Sequence, residues 1–170
     1  MFSFSTGTGF AQSPSPSATP TTVDYTLPYP GILPDNPLYF IKALRDQVIS
    51  FFISDPLKKA QFDLLMSDVR LNAAVYLYAK GESKYSLAET TVSKGENYFF
   101  NGVQMLQSAK QQGMDISSVT STMITSSKKH QEVITQLLAK SSGDIKSRLK
   151  GDLKRAQELQ KTVESLKPKQ

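Results

Sequence analysis

Residues 25–46, YTLPYPGILPDNPLYFIKALRD, restrict the fold more than any other stretch, because a stiff extended segment runs straight into an amphipathic helix. Pro28, Pro30 and Pro34 fix φ and keep the residues before them extended. Gly31 permits a turn, and Asn36-Pro37 places an N-cap ahead of a proline at the first helical position. Asp55-Pro56 repeats the device, so a first helix closes near Ile53 and a second lasts until Gly81. Gly81-Glu82-Ser83 starts a third helix that runs toward Gly113, Asp115 caps a fourth that reaches about Lys140, and Ser142-Gly143 separates a fifth that ends before Pro168.

Short links force consecutive helices to run antiparallel. The predicted fold is therefore all-α, an antiparallel up-and-down bundle of about five helices with a proline-rich extended N-terminal strap. Its division is 1–24 as a disordered leader and linker, 25–36 as the strap and 37–167 as a single helical domain. Every helix carries apolar residues at spacings of three and four. The first offers Leu38, Ile41, Leu44, Val48 and Phe52 to the core, the second Leu64, Leu71 and Tyr78, and the third Val92, Phe99 and Leu106. Met123, Ile134 and Leu137 mark the fourth, and Leu149, Ala156 and Val163 the fifth.

The leader is rich in Ser, Thr, Gly and Pro, with no Lys or Arg before position 42, and cannot bury enough surface to fold. Gly9-Phe10-Ala11 before Gln12-Ser13 resembles the small-x-small cleavage site of a secretory signal, here without a charged n-region or most of an apolar h-region. The expectation is a truncated signal peptide on an extracytoplasmic protein, either secreted or associated with the cell envelope. Accidental resemblance in a disordered segment is the alternative. No run approaches the ~18–20 apolar residues of a membrane span, so no transmembrane segment is expected. The chain has no cysteine, which excludes disulfides, thiolate chemistry and cysteine-ligated metal.

The net charge of +5 is concentrated from Lys140 to Gln170, where nine Lys or Arg stand against four Asp or Glu. Such a helix suits an anionic surface or envelope polymer, or is a solvated face, since Asp144, Asp152, Glu158 and Glu164 are interleaved. With no aromatic platform or Gly-rich clamp beside the charge, specific nucleic-acid binding is not expected.

Three stripes are interrupted by an ionisable residue where an apolar one belongs: Asp68, Glu96 and His130, the only histidine. At ~1.5 Å per residue, Asp68 and Glu96 lie about 20 and 22 Å from the turn at Gly81, and Glu96 and His130 about 27 and 24 Å from the turn near Met114. Antiparallel packing therefore gathers them in one polar layer. Two readings follow. The layer is a hydrogen-bonded network that sets helix register, joined by Arg70, Lys94 or a tyrosine, or it is a site for a divalent metal held by Asp68, Glu96 and His130. A di-iron site needs two Glu-x-x-His motifs and has none here. No Gly-x-Ser-x-Gly elbow or phosphate-binding loop is present, and no nucleophile, base and orienter combine, so an enzyme is not expected.

LPYPGILPDNPLYFIKALRD, the following SDPLKKAQFDLLMSDVRL, and SKGENYFF with KKHQE further on resemble a family of exported bacterial helical domains catalogued as domain of unknown function 5667. The likeness spans residues 27–138 and is most specific from Pro30 to Tyr39. It implies an all-helical extracytoplasmic module, behind a signal peptide or membrane anchor, with no established activity. The functional expectation is a non-enzymatic exported module that binds a protein or envelope partner and needs no cofactor. The alternative is a metal-binding or metal-responsive envelope bundle.

Overall fold

The computed structural model describes residues 22–167. The signal-like motif and most of the leader lie outside the described residues. Five α-helices follow one another: α1 Tyr39–Phe52, α2 Pro56–Ala79, α3 Tyr85–Gln111, α4 Ser117–Ala139 and α5 Gly143–Ser165. The fold is all-α, its consecutive helices packed antiparallel.

The helix boundaries follow local chemistry. The Asp55 carboxylate accepts a hydrogen bond from the Lys58 N–H at 2.9 Å, with Pro56 at the first helical position of α2. Asn36 accepts from the Leu38 N–H at 2.8 Å, and α1 begins two residues later than expected. Asp115 accepts from the Ser117 N–H at 2.9 Å at the start of α4.

Helices α2 to α5 form the bundle. Helix α2 packs on α3 and α4, and α5 packs on the same two, so α2 and α5 occupy opposite corners. The chain crosses a diagonal between α3 and α4. As a result the neighbours α2 and α4 run parallel, with Asp68 beside Ser126 and Tyr78 beside Ser141. Helices α3 and α5 do likewise, with Thr90 beside Arg148 and Asn97 beside Arg155. The α2–α3 contact is the most extensive and depends on two glycines. A Cβ on Gly95 would stand 3.3 Å from the Ser67 carbonyl oxygen, and one on Gly102 3.3 Å from that of Ala60. Seven residues apart on one face of α3, they let the two backbones approach.

Apolar packing surrounds the bundle centre at two levels. One cluster includes Leu64, Phe99, Leu106, Met123 and Val163, the other Leu71, Leu77, Val92, Ile134 and Leu149. The expected stripes of α2 to α5 supply most of these side chains.

Helix α1 departs from the expectation. Its stripe of Leu38, Ile41, Leu44, Val48 and Phe52 is exposed, as are Phe40 and Phe51. The inward stripe is instead Tyr39, Lys42, Ala43, Asp46 and Ser50, of which Asp46 is buried. Polar contacts hold α1 to the bundle. Lys59 Nζ donates to the Ser50 carbonyl at 3.0 Å, and the Arg70 guanidinium lies 5.5 Å from the Tyr39 ring centroid. The stripe is real, but it faces away from the core.

Truncating a core side chain and a side chain on α1 should therefore differ sharply. Leu71→Ala is expected to cost about 2–5 kcal/mol, and Phe52→Ser to change stability by no more than about 0.5 kcal/mol. Urea unfolding monitored by circular dichroism measures both.

Candidate functional site

Asp68 on α2, Glu96 on α3 and His130 on α4 meet in the centre of the bundle, all essentially inaccessible to solvent. His130 Nδ1 lies 2.7 Å from Glu96 Oε1, and Nε2 lies 2.9 Å from Asp68 Oδ1. A carboxylate at each ring nitrogen asks both nitrogens to donate, which only the imidazolium does. Complete burial opposes that charge, but the Glu96 and Asp68 carboxylates outweigh it and push the His130 pKa up to about 9. His130 is therefore a buried cation at neutral pH, and its ring also packs against Phe99 with centroids 5.4 Å apart.

Two hydroxyls complete the layer. Ser126 Oγ donates to Asp68 Oδ1 at 2.6 Å, and the Tyr25 hydroxyl donates to Asp68 Oδ2 at 2.5 Å. Burial, then the hydrogen bond to Asp68, drives the Tyr25 pKa upward, so Tyr25 stays a protonated donor. Tyr25 belongs to the segment before α1, which crosses the groove between α2 and α4. That segment is also tied down where the Val23 N–H donates to Glu132 at 2.7 Å and where the Asn72 amide donates to the Pro28 carbonyl at 2.8 Å. A cleft of about 240 Å³ between α2 and α4 ends on Tyr25 and Asp68.

A second acidic group adjoins the first. Glu89 on α3 is buried and paired with Arg148 of α5. Asp152 on α5 is buried, with Oδ2 lacking a hydrogen-bond partner. Burial first, then the negative charges of Glu89 and Glu96, push its pKa up to about 7. On the α2 side, Asp63 also has an unpartnered buried Oδ2, and burial raises its pKa to about 6.

The three residues singled out by spacing thus converge, while the helpers suggested for them do not all take part. Arg70 stacks on Tyr39 and Tyr98, and Lys94 is exposed. The joining tyrosine is Tyr25, which lies 43 residues from Asp68 and which no periodicity could connect to it. Ser126 was legible, because it stands four residues before His130 on the same face. Asp152, between Leu149 and Ala156, and Glu89, seven before Glu96, also interrupt apolar stripes at helical spacing. Their signal was the one that identified Asp68.

The geometry suits proton holding and register better than ligation. A metal would have to displace a carboxylate from one ring nitrogen of His130, and among the described residues no group of three His, Asp or Glu side chains is arranged to hold an ion. Asp68 and Glu96 lie on opposite edges of the imidazole rather than on one side of a shared void.

The chain matches the family described as Domain of unknown function (DUF5667) over residues 31–144, about two-thirds of its length, and belongs to that family. No curated protein and no solved structure matches it.

Removing the cation leaves two buried carboxylates facing a void, so His130→Ala is expected to cost about 3–5 kcal/mol. The folded protein binds this proton more tightly than the unfolded chain, whose histidine titrates near ~6.5. The stabilisation is present in full below that pH and is lost as pH rises through about 9. A melting temperature that falls over this window in the parent and stays flatter in the variant is the expected result.

Asp152 carries a penalty of the same sign, because its raised pKa means that ionisation is resisted by the fold. Asp152→Asn is expected to raise the melting temperature above pH 7 and to change it little at ~pH 3, below the ordinary Asp pKa, where both states are largely protonated. A pH series of thermal melts on the two proteins provides the comparison.

Proposed function

We propose that this member of the domain of unknown function family is a non-enzymatic exported module that binds a protein or cell-envelope partner. The observation that carries the reading is the outward apolar face of α1, with Phe51 83% and Phe52 76% exposed. A solvent-facing row of large apolar side chains is a contact surface. The ionisable groups of the buried layer, by contrast, are engaged with one another and present no free nucleophile or base to the cleft.

A second surface supports envelope association. Helix α5 lies across the bundle from α2, and Lys150, Lys154 and Lys161 are exposed along it, with Lys167 exposed just past its end. Interleaved carboxylates moderate this charge, and Lys154 lies 3.9 Å from Glu158. Attraction to an anionic polymer or headgroup layer through such a face is long-ranged and screened by salt. The leader composition and its Gly9-Phe10-Ala11 motif support an extracytoplasmic location.

The metal-binding alternative keeps one observation in its favour, the convergence of Asp68, Glu96 and His130. Elemental mass spectrometry on protein purified without chelator or histidine tag separates the readings. The binding-module reading expects no stoichiometric metal in either the parent or His130→Ala; a metal present only in the parent replaces it. The same protein should co-sediment with a bacterial envelope fraction. Added salt, or Lys150→Glu combined with Lys161→Glu, should weaken that association severalfold. Absence of any co-sedimentation overturns the envelope reading.

A further inference from the structure

We infer that the outward face of α1 is a self-association surface, and that its occupant is the α1 face of a second copy of this chain. The inference rests on the binding-module reading and names one partner within it. Area is the first argument. At ~150–250 Å² per aromatic side chain, the exposed parts of Phe40, Phe51 and Phe52 amount to roughly 400 Å². Leu44, Val48 and their aliphatic neighbours bring the face to about 700 Å². That exceeds the ~300–600 Å² patch of a typical monomer. Two such faces joined would bury about 1,400 Å², within the ~1,200–2,000 Å² of stable specific interfaces.

Charge selects the occupant. Between residues 35 and 59 four Lys or Arg stand against three Asp, so the surroundings of α1 are nearly neutral. Arg45, the cation on the apolar arc, is held 2.7 Å from the Asp46 carboxylate. A helix that lies in an anionic membrane keeps a Lys/Arg-rich polar face toward water. The polar stripe of α1 instead faces the bundle and includes the buried Asp46. The basic surplus resides on α5, on the far side from α2, so an anionic membrane would draw that side rather than α1.

Shape makes the patch self-complementary. Between the N-terminal segment, α1 and α2 runs a groove of about 540 Å³, lined by Tyr29, Leu65 and Val69 and by Ile32 and Ile41, which are themselves exposed. A two-fold contact needs knob and hollow on one surface, so that each copy fills the other. The dimer would turn both α5 faces outward, giving two basic surfaces for one polymer and an avidity that neither has alone.

The chain has no cysteine, so single introduced thiols report cleanly. The experiment uses the full chain, sedimentation equilibrium up to about 100 μM, a range that detects a Kd of that order, and a short bismaleimide cross-linker. The expected species has twice the 18.8 kDa monomer mass. Leu44→Cys should cross-link to a dimer while Lys150→Cys does not, and Leu44→Asp should sediment as a monomer with unchanged helix content. A monomer at every concentration, with no cross-link through Leu44→Cys, overturns the inference. In that event, loss of thiol reactivity on adding anionic phospholipid vesicles assigns the face to a membrane surface and leaves the binding-module reading standing. Full reactivity with both vesicles and envelope fraction overturns the two together.

Discussion

A single imidazolium, placed between two carboxylates contributed by different helices, governs the rest of this bundle. His130 joins α2, α3 and α4 through Asp68 and Glu96 at the point where all three are fully buried. The energetic asymmetry matters more than the net value of the pair. A buried ion pair contributes little over a well-packed apolar replacement, but removing one member strands the other in a low dielectric. Sliding any one of the three helices by a turn would break a charge-assisted contact, so the layer sets register in a way that leucines at the same level would not. It also connects the N-terminal segment to the bundle, because Asp68 accepts from Tyr25.

The charges beyond this layer show what the fold tolerates. Burial, then the negative charges of Glu89 and Glu96, raise the cost of ionising Asp152, and Arg155 offsets only part of it. Asp152 and Asp63 keep orphaned carboxylate oxygens. Such groups weaken a domain as pH rises, and the arrangement makes sense for a core whose total apolar packing across α2 to α5 is large enough to absorb them. The stabilising core and the surfaces available for partners are thereby kept apart. The core lies inside four helices, and α1 and the outer side of α5 face outward.

Helix α1 shows where periodicity stops being informative. Its apolar arc is as regular as that of any other helix, and regularity is what identifies a helix. The pattern, however, locates that arc only relative to the helix's own axis. Whether the arc points to the core depends on what lies on the other side, and in α1 the half-buried Tyr39, Lys42 and Ser50 and the buried Asp46 take the inner position. The polar layer was legible for the opposite reason. Asp68, Glu96 and His130 sit on stripes whose other members are core, so their burial followed from their neighbours, and equal distances from shared turns put them on one level. Tyr25 was hidden because an extended segment has no such ruler.

The residues alone determined the number of helices, most of their ends, their antiparallel succession and the level at which three ionisable groups meet. These are local properties: caps, prolines, glycines and a rise of ~1.5 Å per residue act within a few turns and are the same in any surroundings. Tertiary structure decided the diagonal crossing from α3 to α4, the orientation of α1, the protonation of His130 and the lodging of Tyr25 against Asp68. Each of these depends on which groups become neighbours across the bundle, where burial and Coulomb interactions between segments far apart in the chain outweigh local preference.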